Sequence, residues 1–276
     1  MQKVALVTGS SSGIGFETCI ALAKDGYHTF ASMRDIKKSQ KLKQTADKEN
    51  LPITILELDV DDEGAIVSTI KKIIDEVNHI DVLVNNAGYG QFGCLEDVSV
   101  EEFRKQFETN FFSIVRIIQE VSPHMRKQGS GIIVNISSLA GRMGLPGSPA
   151  YISSKFALEG LSECLRYELG MFGIKTTLIE PGVVKTRFFD SMKLPETNKD
   201  PKYQQITENM VSGVKMMVEM GTPPSKVAEA VMKAIHDKEM LPRYVVGTDA
   251  LMFMEAKNSK SDIEFEKYIS KELFPG

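Results

Sequence analysis

The chain has no tryptophan, only three cysteines and only four histidines in 276 residues. Cys19, Cys94 and Cys164 are odd in number and widely spaced, which argues against a disulfide framework and makes a reducing compartment the expectation. His28, His79, His124 and His236 form no H-x-x-x-H pair, and C-x-x-C is absent, so nothing predicts zinc. No apolar run approaches the roughly 18 residues that cross a bilayer. A strand pattern begins at residue 3, which leaves no room for a cleavable leader, and the expected location is cytoplasmic. The net charge of −4 gives no general attraction to nucleic acid or to an anionic membrane. An apolar fraction of 42% and a charged fraction of 25% are those of an ordinary globular protein, and the length suits one large domain over 1–276.

What is present is alternation. Apolar strand patterns fall at 3–8, 27–33, 53–58, 81–85, 131–137, 174–180 and 243–247. Helical patterns fall near 13–25, 62–77, 99–127, 151–171 and 224–237. Alternating β and α elements predict a parallel sheet covered on both faces. Right-handed crossovers then give an α/β fold of the Rossmann type, a doubly wound parallel sheet of about seven strands with ligands outside the strand C-termini. Gly9, Arg34, Asp59, Asn85, Ser138 and Pro181 all fall at such ends, which argues for one site.

Two local patterns carry chemistry. Val4-Ala5-Leu6-Val7 runs into Thr8-Gly9-Ser10-Ser11-Ser12-Gly13-Ile14-Gly15 and then into a helix. Strand, glycine turn and helix start is the geometry that places a pyrophosphate on free N–H groups. Gly9, Gly13 and Gly15 allow close backbone approach, and Ser11 and Ser12 offer hydroxyls. Tyr151 and Lys155 stand at i, i+4 on one helix face. An ammonium beside a phenol favours the phenolate, so a lowered Tyr151 pKa is expected, fit for acid–base work. Ser138 could hold a substrate oxygen beside it. As a hydrolase nucleophile Ser138 lacks both a G-x-S-x-G elbow and a recognisable histidine partner.

The ordered set Thr8-Gly9-x-x-x-Gly13-Ile14-Gly15, Asn85-Asn86-Ala87-Gly88, Asn110, Ser138, Tyr151-x-x-x-Lys155 and Pro181-Gly182 resembles the short-chain dehydrogenase/reductases over residues 3 to about 190. Met33-Arg34-Asp35, Met143-Gly144-Leu145-Pro146 and the run Ser154 to Leu161 are similar to the 17β-hydroxysteroid and retinol dehydrogenase branch. The resemblance implies hydride transfer between an alcohol and a ketone or aldehyde. Tyr151 would be the acid–base group and Ser138 the carbonyl-orienting hydroxyl. Lys155 would tune Tyr151 and bind ribose, and Asn110 would hold a water in a proton relay. It also implies a nicotinamide dinucleotide on Gly9, Ser11, Ser12, Gly13, Ile14 and Gly15. Further contacts would come from Asp59 and Val60, from Asn86, Ala87 and Gly88, and from Pro181, Gly182, Val183 and Thr186. Against the resemblance stand the lesser readings of Asp59 as a helix N-cap and of Asn110 as a buried residue that distorts its helix.

Arg34 ends the second strand, where an acidic residue would bond a ribose diol and an arginine would accept a 2′-phosphate. NADP(H) is therefore expected over NAD(H), with Ser11 and Ser32 as added donors and Asp35 as the contrary signal. Residues 186–223 are expected to form a substrate lid, with Phe188, Phe189, Leu194, Met210, Met216, Met217 and Met220 as its apolar roof. The pocket wall is expected from Tyr89, Gln91, Cys94, Ala140, Leu145 and Val183, with Tyr89 and Gln91 as polar anchors. Lys185 and Arg187 are the nearby cations. These features predict a hydrophobic alcohol or carbonyl substrate. Residues 249–276 read as a C-terminal extension for packing or lid support. Phe107, Phe111, Phe112, Phe156, Leu158, Leu161 and Leu165 exceed one sheet-facing stripe, and with the resemblance they predict a homodimer or homotetramer. The competing readings are a catalytically silent dinucleotide-binding regulator and an enzyme acting on a small polar carbonyl. A nucleotide-sugar epimerase is disfavoured by the apolar lid.

Overall fold

The structure is a computed structural model that describes residues 2–188, 190, 192–196 and 199–273. Seven parallel strands form one sheet: β1 (Val4–Val7), β2 (His28–Met33), β3 (Ile53–Glu57), β4 (Val82–Asn85), β5 (Gly131–Ile136), β6 (Ile174–Pro181) and β7 (Arg243–Val246). Their order is β3-β2-β1-β4-β5-β6-β7. The chain turns outward in opposite directions from β1 and β4. The loops leaving these two strands therefore part and open a crevice above the strand ends.

β1 and β4 are buried along their whole length, as strands covered on both faces must be. Successive side chains serve opposite layers. Ala5 and Val7 pack with Phe16 and Cys19 of α1 (Gly13–Lys24), and with Val227 and Val231 further along the chain. Val4 and Leu6 pack on the other side with Ile66 and Ile70, Ile117 and Val121, and Leu158 and Leu165.

The remaining helices are α2 (Gln40–Glu49), α3 (Glu63–Val77), α4 (Val100–Phe107), α5 (Ser113–Gln128), α6 (Pro149–Gly170), α7 (Pro201–Glu219), α8 (Pro224–His236), α9 (Thr248–Ser259) and α10 (Asp262–Leu273). Several depart from the sequence-based expectation. The single helix expected over 99–127 is two, joined by a π-helical turn at Glu108–Phe112. α2 was not anticipated, because its mostly charged run shows only Leu42 and Ala46 to the core. The expected lid contains a long helix, α7. Helices α9 and α10 pack Ala250, Met254, Phe265 and Ile269 on Leu139 and Met143. Among the described residues no helix is long and apolar enough to cross a membrane.

Candidate active site

The floor of the crevice is the turn between β1 and α1, clamped to the end of β4. Thr8 Oγ1 accepts the N–H groups of Asn86 and Ala87, both at 3.0 Å. Asn86 Nδ2 returns two bonds, to Thr8 O at 2.8 Å and Gly9 O at 3.1 Å. The turn closes tightly enough to require glycine. Gly9 (φ 69°) and Gly13 (φ 59°) lie in the left-handed region. A Cβ at Gly9 would stand 2.8 Å from Ala87 Cα, and one at Gly13 would stand 3.0 Å from Thr186 Cγ2. α1 starts at Gly13 with no side chain capping its first turn, so the N–H groups of Gly13, Ile14 and Gly15 face the crevice as donors. Ser11 and Ser12 flank them at the surface side.

Arg34 follows directly after β2 and is exposed. Asp35 is turned away, because its carboxylate accepts Lys37 N at 3.0 Å and caps the short helical turn 36–39. Ser32 does not add a donor. It is 1% exposed and its hydroxyl bonds Val7 O at 3.3 Å. Asp59 is not the cap of α3, since Asp62 fills that role through Ala65 N. The Asp59 carboxylate accepts Asp61 N at 3.2 Å, beside the buried Val60.

The catalytic candidates meet above β4 and β5. Ser138 leaves β5 and its Oγ accepts Ala140 N at 3.1 Å. It stands close enough to the phenol of Tyr151, on the first turn of α6, to act on its charge. Lys155, one turn on, is 7% exposed. Its ammonium donates to Ile136 O at 2.9 Å and lies 5.8 Å from the Tyr151 ring centre.

The expected lowering of the Tyr151 pKa is overturned. Burial pushes the phenol up to about 12, against a smaller downward pull from the Ser138 side chain. Burial brings Lys155 down to about 8, with Glu159 acting in the opposite sense. Desolvation outweighs pairing here because the ammonium is turned to a backbone carbonyl. Asn110 sits inside the π-helical turn, 0% exposed. Its side chain holds Tyr89 by both backbone groups, at 3.1 Å to N and 3.0 Å to O, and reaches Ser154 Oγ at 3.4 Å. The amide is thus committed to shaping the backbone.

The wall beyond β6 is Pro181-Gly182-Val183. Asp249 Oδ2 accepts Val183 N at 2.7 Å, and its carboxylate leans over Gly182, where a Cβ would lie 2.2 Å away. Thr186 faces the glycine turn and its Oγ1 accepts Phe188 N at 3.2 Å.

The roof is the segment from Phe188 into α7. Phe188 packs on the Tyr151 ring, centroids 5.7 Å apart, and Phe92 stacks on it at 6.4 Å. Two backbone bonds strap the segment down, Lys193 N to Gly90 O at 3.0 Å and Phe92 N to Lys193 O at 2.8 Å. Met210 lies against Gly147. Met216 (66% exposed) and Met220 (87%) do not roof the pocket; they face solvent, with Met217 and Leu194 also exposed. Phe189 lies outside the described residues. Gln91 is no free anchor either, since its amide donates to Phe92 O and Glu102 Oε1. Cys94 is buried and its Sγ contacts Tyr203 O. Lys185 and Arg187 are exposed. A cavity of about 630 Å³ opens outside the strap, between Tyr89, Glu102, Lys105, Lys193 and Glu196.

Three residues of this site had no role in the sequence reading: Thr8, Phe92 and Asp249. Thr8 stood inside the quoted motif, and its burial was the missing signal. Phe92 and Asp249 lie far along the chain from the groups they touch, and no local pattern marks them.

Three comparisons bear on this geometry. The family model described as short chain dehydrogenase matches residues 3–197. The chain is 38% identical to the "Uncharacterized oxidoreductase YusZ" of Bacillus subtilis, over 99% of each protein. It is 35% identical to "Retinol dehydrogenase 8" of Homo sapiens, over 84% of this chain and 78% of that one. Among solved structures, a short-chain dehydrogenase from Streptomyces avermitilis superposes with a TM-score of 0.84 at 31% identity, covering 100% of this chain and 98% of that one.

Proposed function

Since the chain belongs to the short-chain dehydrogenase/reductase family, we propose that it is an NADP(H)-dependent oxidoreductase. It interconverts a hydrophobic alcohol and its ketone or aldehyde, with Tyr151 as the acid–base group. The observation that carries this reading is the meeting of Tyr151, Ser138 and Lys155 on the strand-end side of the sheet, where the glycine turn also lies.

The residues present suit a dinucleotide. Gly9 and Gly13 leave bare backbone between β1 and Thr186, a slot that any Cβ at Gly13 would fill. The uncapped first turn of α1 would hold the pyrophosphate, and Asn86, Ala87 and Gly88 would flank a ribose. Asp59 and Val60 would meet the adenine, and Pro181, Gly182, Val183 and Thr186 the carboxamide. When bound, the nicotinamide supplies or accepts the hydride. Lys155 would hold its ribose hydroxyls. Ser138, fixed by Ala140 N, orients the substrate oxygen and stabilises charge on it.

In reduction the Tyr151 phenol gives its proton to that oxygen; in oxidation the phenolate takes it back. With its pKa near 12 the phenol is protonated at neutral pH, which is the state reduction requires. We read Asn110 as the residue that sets the backbone at Tyr89 on the path of a proton relay.

NADP(H) preference rests on Arg34, exposed at the end of β2 with no ion pair among the described residues, and on Asp35, whose carboxylate is spent on its own turn. A hydrophobic substrate fits the aromatic sandwich of Phe92 and Phe188 about Tyr151, and is the class named for the human relative. Each large apolar group buried contributes about 1.5–3 kcal/mol. We also infer a cytoplasmic homodimer or homotetramer formed through α5 and α6, with Phe112 exposed just before α5, Phe156 and Tyr167 on α6 and Met171 at its C-terminal end. Leu158 and Leu165 are not part of that face, being buried against the sheet.

The test is kcat/KM along ketones of rising chain length, with NADPH and NADH in parallel. The expected result is a rising series and a preference for NADPH that Arg34→Asp inverts. A flat series refutes the substrate class, and a wild-type preference for NADH refutes the role of Arg34.

A further inference from the structure

The C-terminal helices make a contact that the chemistry above does not use. Asp249 stands in the first turn of α9, just after Gly247, where the chain leaves β7. A carboxylate in a first turn ordinarily serves its own helix. α9 has no side-chain cap, and the Asp249 carboxylate leans back instead to accept Val183 N–H at 2.7 Å. Around that bond the wall is held backbone to backbone. Gly182 N–H donates to Val246 O, Val183 O accepts Thr222 N–H and Lys185 N–H donates to Thr222 O, each at 2.9 Å. Val183 N–H is met by a side chain, and an N–H left without an acceptor in such a place is costly.

Two glycines leave the carboxylate its room. A Cβ at Gly247 would stand 2.6 Å from Asp249 Oδ1, and one at Gly182 would overlap the Asp249 carboxylate. Gly247 also needs glycine for its backbone, with φ at 110°. Gly182 is not among the glycines in the left-handed region, so on this side it is the carboxylate that bars a side chain.

The same helix turn touches the other half of the site. Ala250 and Met254, one turn apart, are buried with Leu139 and Met143, and Phe265 of α10 closes the cluster. Leu139 follows Ser138 directly and opens the short turn whose Ala140 N–H holds the Ser138 hydroxyl. α9 therefore grips the wall through Asp249 and the serine turn through Ala250 and Met254.

We propose that Asp249 is a positioning residue for the nicotinamide end of the cofactor, with α9 as the arm that ties it to the Ser138 turn. This rests on the cofactor reading given above. Gly182 is glycine to admit the carboxylate, and the C-terminal extension belongs to the alignment of the site as well as to its packing. The glycine turn and Arg34 follow β1 and β2, whereas α9 follows β7 at the opposite edge of the sheet. A change at Asp249 is thus felt at the nicotinamide half of the dinucleotide and not at the adenine half.

The test has two arms, both on the whole protein. In the first, exchange of Val183 N–H is followed by NMR without cofactor. Asp249→Ala should reduce its protection by about tenfold, while Asp249→Asn, whose amide oxygen still accepts, should keep most of it. Gly182→Ala should cause a similar loss by displacing the carboxylate, and should add little when combined with Asp249→Ala. In the second, NADP⁺ and NAD⁺ are titrated beside 2′,5′-ADP and 5′-ADP, which carry only the adenine half. Asp249→Ala should weaken the dinucleotides by about tenfold and leave the fragments unchanged, with Asp249→Asn recovering most of the loss. Met254→Ala, which loosens α9 from the serine turn, should weaken the dinucleotides in the same selective way by about threefold. Exchange of Val183 N–H that is alike in wild type and Asp249→Ala overturns the brace. Dinucleotide affinity that is unchanged in Asp249→Ala, or that falls together with the fragments, overturns the positioning role. No selective loss in Met254→Ala overturns the tie to Ser138. A wild type that binds neither dinucleotide rejects the cofactor reading and the positioning role with it, while the exchange arm still decides whether Asp249 holds the wall.

Discussion

The floor and the roof of the site are built by different means. The floor is sheet: Val84 and Thr8 are buried, and the turn above them is locked by four hydrogen bonds among Thr8, Gly9, Asn86 and Ala87. The roof is a helix laid on the surface. Of α7 only Thr207 is buried, and the segment before it is tied by two backbone bonds to Gly90 and Phe92. A region with many buried contacts opens only with the whole fold, whereas one held by a few exposed bonds opens locally. The floor is thus suited to fixing a constant group, and the roof to admitting a variable one.

Tyr151 is where the two meet, and the largest expected effect lies there. Tyr151→Phe keeps the ring between Phe92 and Phe188 and deletes only the hydroxyl. Turnover should fall by about 10²–10⁴-fold with the dissociation constant for cofactor little changed, as steady-state rates and fluorescence titration would show. Near-normal turnover would mean that the proton comes from elsewhere.

The floor should respond next. Asn86→Ala leaves Thr8 O and Gly9 O without their side-chain donor, at a cost of about 2–3 kcal/mol in urea unfolding and with weaker cofactor binding. A loss well below 1 kcal/mol would show the clamp to be dispensable and erase the contrast with the roof.

Lys155→Met sharpens the contrast from the opposite side. The folded-state pKa of Lys155, about 8, lies below its ordinary 10.5. The unfolded chain therefore binds the proton more readily, and stability rises with pH between those values. Lys155→Met should raise unfolding free energy at pH 7 by about 1–3 kcal/mol, less the lost bond to Ile136 O, while abolishing turnover. The gain should vanish above pH 10.5. A destabilised variant at pH 7 would show that the bond to Ile136 outweighs the cost of the buried charge.

The smallest effect belongs to the roof. Phe188→Ala should change global stability by less than about 1 kcal/mol, because α7 and its strap lie at the surface. It should raise KM for long-chain substrates by roughly tenfold while leaving cofactor affinity unchanged. A large loss of melting temperature would make the roof part of the core and remove the distinction.

These differences follow the range of the interactions involved. The glycine turn, the i, i+4 pair of Tyr151 and Lys155 and the alternation of strands with helices are local, and each states its geometry within a few residues. The single sheet, its strand ends and the gathering of Gly9, Ser138, Tyr151 and Pro181 above them were legible for that reason. The outward turn of Met216 and Met220 was not, because an amphipathic run does not say which body covers its apolar side. Nor was the engagement of Gln91 by Phe92 O and Glu102; a helix distorted at a buried Asn110 was among the readings, but its partner, the Tyr89 backbone twenty-one residues earlier in the chain, was not.

By itself the sequence determined the fold class, the glycine turn after β1 and the helical spacing of Tyr151 and Lys155, because hydrophobic period and residue spacing act along the chain. Only the tertiary structure decided the burial of that pair, the bracing of Val183 by Asp249 and the gathering of Glu159, Glu180, Arg142 and Arg243 into ion pairs. Desolvation and long-range hydrogen bonding depend on what surrounds a group in space, and β6, β7 and α6 bring those residues together from positions up to a hundred apart.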